Sequence, residues 1–197
     1  MLRSAADTLA VVQQALKDYP YPLSIQSTMS ETHPVSIMFD NYMGYLEIPC
    51  LGTNSRPQFG AMYRFPDTDV TDIFIEGLDD VVALVPAILQ HRELHRITHE
   101  HVPQLKARNS KFLVGLGYSG FPWWLAFQLR IPDHQKNLSI IKGPAWTLTN
   151  DPRAGKPTQV FASSGDFQKD GFSMINACLA QMGNKTPIAS EFDPFDL

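Results

Sequence analysis

Apolar and polar positions along this chain follow two rhythms. Short runs alternate with period two, and three longer stretches repeat every three to four residues, which predicts strands interrupted by helices. The first helix opens at Ser4, which forms a capping-box pattern with Asp7. Ala5, Leu9, Val12, Leu16 and Tyr19 then share one face, and Pro20 ends the helix. Alternating runs follow at Leu23 to Met29, Val35 to Asp40, Tyr45 to Cys50, Phe59 to Phe65 and Thr71 to Ile75. In the fourth, Phe59, Ala61, Tyr63 and Phe65 point one way while Gly60, Met62 and Arg64 point the other, as in a strand with one buried face. The links are short, so antiparallel neighbours are expected rather than βαβ crossovers.

A second helix is predicted from Leu78 or Asp79 to about His101, with Pro103 beyond it and Pro86 either kinking it or marking its first turn. Further strands are expected at Lys111 to Gly117, Trp123 to Ile131, Leu138 to Lys142, Trp146 to Thr149 and Gln159 to Ala162, with a hairpin loop at Asp133 to Asn137. A third helix, about Phe167 to Met182, stacks Phe172, Ile175, Leu179 and Met182, and Gly183 with Asn184 caps it. The pattern predicts an α+β fold: mainly antiparallel sheet, with about three helices packed on one face. The expected organisation is a single globular domain over residues 1–189, followed by an acidic-aromatic tail over 190–197.

Composition places the chain among globular proteins, because 44% hydrophobic residues in a chain of 197 suffice for a core without disulfides or metal. Cys50 and Cys178 lie far apart and form no C-x-x-C pair, so they read as reduced thiols of a cytoplasmic protein. Asp7, Gln13 and Gln14 interrupt the apolar residues of the first helix, so it does not read as a secretory signal. Phe112 to Leu129 carries no charge, but Gly115, Gly117, Gly120 and Pro122 break it, and a turn between two strands explains it better than a membrane span. No membrane partner is expected.

Charge is uneven. Residues 1–91 hold four Lys and Arg against eleven Asp and Glu, whereas residues 92–142 hold eight against three. One reading is a helix that complements its own dipole, with Asp79 and Asp80 at its start and Arg92, Arg96 and histidines at its end. The other is a basic surface for nucleic acid, an acidic partner or a second copy.

The densest candidate chemistry is the run from His91 to His101, which contains His91, His95, His99 and His101. Histidines four apart share a helix face and can hold one metal between them, but Arg92 and Arg96 oppose a cation there. The run also continues the stripe of Val81, Leu84 and Ile88, so packed histidines are the favoured reading and no cofactor is expected. Gly115, Gly117 and Gly120 match G-x-G-x-x-G, yet Pro122 and a period-two run follow where a phosphate-binding helix should start. Asp67, Asp69 and Asp72 read as a solvated turn. At the end, Glu191-Phe192-Asp193-Pro194-Phe195-Asp196 alternates acids with aromatics. It resembles the recruitment tails of single-stranded DNA-binding proteins, and Asp193-Pro194-Phe195 resembles the short peptides that clathrin adaptor domains bind.

Three functional expectations follow. The first is a non-catalytic protein-binding or assembly protein, soluble and oligomeric, using Phe192, Asp193, Phe195, Trp123 and Trp124. The second is a metal-dependent hydrolase built on His91, His95, His99 and His101. The third is a single-stranded nucleic-acid binder with Trp123 or Trp124 as a stacking platform. The missing catalytic set, the tail and the uneven charge favour the first.

Overall fold

A computed structural model describes residues 3–39, 45–52, 60–64, 71–75, 77–108, 113–119, 124–131, 134–141, 145–149, 159–183 and 187–188. The fold is α+β. In chain order the elements are α1 (Ala5–Leu16), β1 (Leu23–Ser27), β2 (Val35–Phe39), β3 (Tyr45–Ile48), β4 (Gly60–Arg64), β5 (Thr71–Phe74), α2 (Leu78–Arg108), β6 (Leu113–Ser119), β7 (Trp124–Ile131), β8 (His134–Ile141), β9 (Ala145–Thr149), β10 (Gln159–Ala162) and α3 (Phe167–Gln181). Two five-stranded sheets result, with strand orders β1-β2-β3-β4-β5 and β10-β9-β8-β7-β6. The residues gather into two compact units, Met1–Val85 with Ser119–Trp124 and Pro86–Tyr118 with Leu125–Leu197.

The first unit holds α1 and the β1–β5 sheet. Ser4 caps α1 as its pattern requires, accepting from the Asp7 N–H at 3.1 Å. Thr8, Val12 and Leu16 are the buried face of α1, which packs on β1 and β2. Ala5, the first residue of α1, is exposed. Pairing is antiparallel throughout: Ile25 lies opposite Ile37, and Ile37 opposite Leu46. Val35, Ile37, Phe39, Leu46 and Ile48 are all buried on the two central strands, each burial contributing about 1.5–3 kcal/mol. The hydroxyl of Thr8 accepts from the Leu51 N–H at 3.3 Å, and the Arg3 N–H donates to the Leu51 carbonyl at 2.9 Å, which fixes the start of the chain beside the end of β3.

The second unit holds α2 from Pro86 onward, the β6–β10 sheet apart from Ser119 and Trp124, and α3. Helix α2 passes through both Pro86 and Pro103 and ends seven residues later than the pattern predicts. Pro103 is exposed, and Leu105, buried two residues further on, holds the extension in place. Strand β8 begins at His134 rather than Leu138, so the expected hairpin loop is shorter and Gln135 to Asn137 join the ladder. In β9, Trp146 and Leu148 are buried on one face. Helix α3 is capped by Asp166, which accepts from the Lys169 N–H at 3.0 Å, and Gly183 follows it with φ of 81°, a conformation glycine adopts at little cost. Cys50 and Cys178 are not joined in a disulfide. No helix among the described residues is long and apolar enough to cross a membrane, and the uncharged stretch after residue 112 forms β6 and β7.

Candidate functional site

The histidine run occupies the middle of α2. Residues four apart advance about 400° around a helix, so each such step overshoots by about 40°. His91, His95 and His99 therefore walk off the buried face: His91 is fully buried, His95 half-buried and His99 exposed. The buried line continues instead through Leu94, Ile97, Thr98, His101 and Leu105. The ring of His91 stacks on Trp146 with centroids 6.3 Å apart and planes 12° from parallel, and meets the edge of His95 at 4.8 Å. Burial, reinforced by neighbouring His91, pushes the His95 pKa down to about 2, so the ring is neutral at physiological pH. His101 donates from Nδ1 to the Ile97 carbonyl at 2.8 Å and stands edge-on to Phe172 at 5.7 Å. The four histidines thus sit in four different surroundings. Among the described residues no group of three His, Cys, Asp or Glu side chains is placed to hold a metal ion.

The two arginines of this run are not at the helix end, because α2 continues to Arg108. Arg92 is buried. Arg96 is clasped by carboxylates on both sides: its Nε donates to Glu93 at 3.0 and 3.1 Å, its Nη2 pairs with Glu93, and its Nη1 donates to Glu100 at 2.7 and 2.8 Å. These bonds push the guanidinium pKa further up and neutralise its charge locally.

Helix α3 docks on α2 through Gly171. A side-chain carbon there would come within 2.8 Å of Ile97 Cδ1, so the glycine is what lets the two helices approach. Gln90 Nε2 donates to the Phe167 carbonyl at 2.8 Å across the same junction. Beside it, the buried carboxylate of Asp170 accepts from the Ser164 N–H at 2.9 Å, the Ser164 hydroxyl at 2.7 Å and the Ser163 hydroxyl at 3.3 Å, locking the turn between β10 and α3.

One surface feature escapes the period-two reading altogether. Strand β1 ends at Ser27, two residues early, because the Thr28 side chain takes over the hydrogen bonding. Thr28 donates from its hydroxyl to the His33 carbonyl at 2.6 Å and accepts from the Ser30 N–H at 3.0 Å. The Ser30 hydroxyl accepts from the His33 N–H at 3.0 Å, and the Thr28 N–H closes on the Pro34 carbonyl at 2.8 Å. This braced hairpin loop leaves Met29 in water, at 104% relative exposure. The cluster of Thr28, Ser30 and Thr32 around a lone methionine was the available sequence signal.

Trp123, Phe192, Asp193 and Phe195 lie outside the described residues, as do Asp67 and Asp69. Trp124 is the first residue of β7, and Asp72 lies in β5. Gly115 and Gly117 fall inside β6, and the next described element is strand β7 rather than a helix, so the glycine pattern has no phosphate-binding helix behind it. Comparison with family models, with curated proteins and with solved structures finds no match.

Proposed function

We propose that this protein works by binding another protein through its surface, without catalysis. Met29 is the observation that carries this reading. A methionine held wholly in water forgoes about 1.5–3 kcal/mol of burial free energy, which a partner's apolar pocket would restore. The loop that presents it is already fixed by its own hydrogen bonds, so docking costs little ordering entropy. The unbranched thioether adapts to the shape it meets, and Ser30, Glu31 and Thr32 form a polar rim beside it. On this reading the tail adds a second anchor point, with Phe192 and Phe195 inserted and Asp193 orienting them, and the Trp123–Trp124 pair offers a further aromatic surface.

Affinity capture from the source organism, quantified for wild type against Met29→Glu, tests the reading. The expected result is at least about a tenfold loss of a specific partner at unchanged melting temperature. A set of captured proteins unaltered by Met29→Glu and by deletion of residues 191–197 would overturn it.

A further inference from the structure

We infer that two copies of this chain pair through the free edge of β10, making one sheet continuous across a two-fold axis. This rests on the reading of the chain as an interaction protein and names the partner of one surface as a second copy.

Among the described residues β10 is the terminal strand of its sheet, paired with β9 alone. Strand edges carry unpaired N–H and C=O groups, and proteins usually guard them with charge, proline or a covering element. One outer strand of the other sheet, β1, is guarded in this way: α1 packs on it, and Gln13 Nε2 donates to the Ile25 carbonyl at 3.3 Å. β10 lacks such protection among the described residues. No charge occurs between Lys156 and Asp166. Gln159, Val160 and Ala162 are exposed, Val160 to 57%.

The sequence of the strand also suits pairing with itself. In an antiparallel ladder, directly opposed residues turn their N–H and C=O groups the same way, so a strand meeting its own copy must be centred on a residue. Centring on Phe161 sets Val160 opposite Ala162 of the second copy and Gln159 opposite Ser163. Large then meets small, polar meets polar, and no like charges face each other. Phe161 lies opposite Trp146 of β9, whose side chain is buried, so Phe161 belongs to the inner face. Its own copy would extend that aromatic row, while Val160 and Ala162 would cover each other on the outer face. The Asp170 lock on Ser163 and Ser164 holds the end of the strand in place before any partner arrives.

Sedimentation velocity of the full chain, from nanomolar to high micromolar concentration, should show a reversible monomer–dimer equilibrium. Val160→Lys should leave a monomer with unchanged circular dichroism and melting temperature. Phe161→Cys, opposite its own copy, should give a disulfide-linked dimer under mild oxidation, whereas Val160→Cys and wild type should not. A wild type that stays monomeric throughout, or a dimer indifferent to Val160→Lys with no Phe161→Cys cross-link, overturns the inference. Neither result touches the Met29 capture experiment, so loss of the dimer and loss of the hetero-partner remain separable.

Discussion

At His95 a single imidazole couples folding to pH. Its folded pKa, near 2, lies below the ordinary histidine value of 6.5, first because of burial and then because of His91. Below pH 6.5 the unfolded chain therefore binds a proton that the folded chain refuses. The stability owed to the neutral ring is complete above pH 6.5 and is lost progressively as the pH falls toward 2. One such proton gives a limiting slope of about 1.4 kcal/mol per pH unit. His95→Gln keeps a polar side chain of similar length that cannot titrate. Urea unfolding between pH about 7 and about 5 should show a shallower loss of stability in His95→Gln than in wild type, by up to that slope. Parallel pH curves for the two proteins would mean that His95 takes up its proton in the folded state.

Between elements, the tightest test is the approach of α3 to α2. Gly171→Ala gains about 1 kcal/mol of helix propensity, but its new methyl group meets Ile97 Cδ1 at 2.8 Å in a fully buried setting. Overpacking of this kind costs about 1–3 kcal/mol, so a net destabilisation of about 1 kcal/mol is expected. Ile97→Val removes the offending carbon at its own cost of about 0.5–1.5 kcal/mol, and in that background Gly171→Ala should become neutral or stabilising. Additive effects in the double-mutant cycle, read by urea denaturation, would show that the helices do not meet at this glycine. The helices and strands were largely legible in the chain because periodicity and caps are local: Ser4, the Val35–Ile37–Phe39 alternation and Gly183 each announce their element. The C-terminal end of α2 was not, because Pro103 is a strong local stop signal that the burial of Leu105 overrides. Gly171 gave no sign of its role either, since close approach depends on what faces it and not on its neighbours in sequence.

For the whole molecule, charge limits which large partners it can hold. The excess of eight Lys and Arg over three Asp and Glu in residues 92–142 is the only basic stretch in a chain of net charge −4. The fold reduces what it can offer. Arg92 is buried, and Arg96 is clasped by Glu93 and Glu100, so two of the eight cations are withdrawn from an open surface. In the sequence an arginine beside a histidine has no marker for inside or outside; the 40° drift per four-residue step separates Arg92 from Arg96 only once the buried face of α2 is known. Affinity for nucleic acid comes chiefly from phosphate neutralisation, and every phosphate left without a cation lowers both the affinity and its salt dependence. Binding to a labelled single strand at physiological salt should therefore be weaker than about 1 µM, with a shallow log–log salt slope of about −0.7 per phosphate engaged. Arg96→Ala should leave it unchanged, because that charge is already satisfied at home. Fluorescence anisotropy across a salt series measures both quantities. Submicromolar binding with a steep slope, weakened by Trp124→Ala, would move the function from a protein surface to a nucleic-acid one, since stacking on that indole together with neutralisation of many phosphates is what such a result requires.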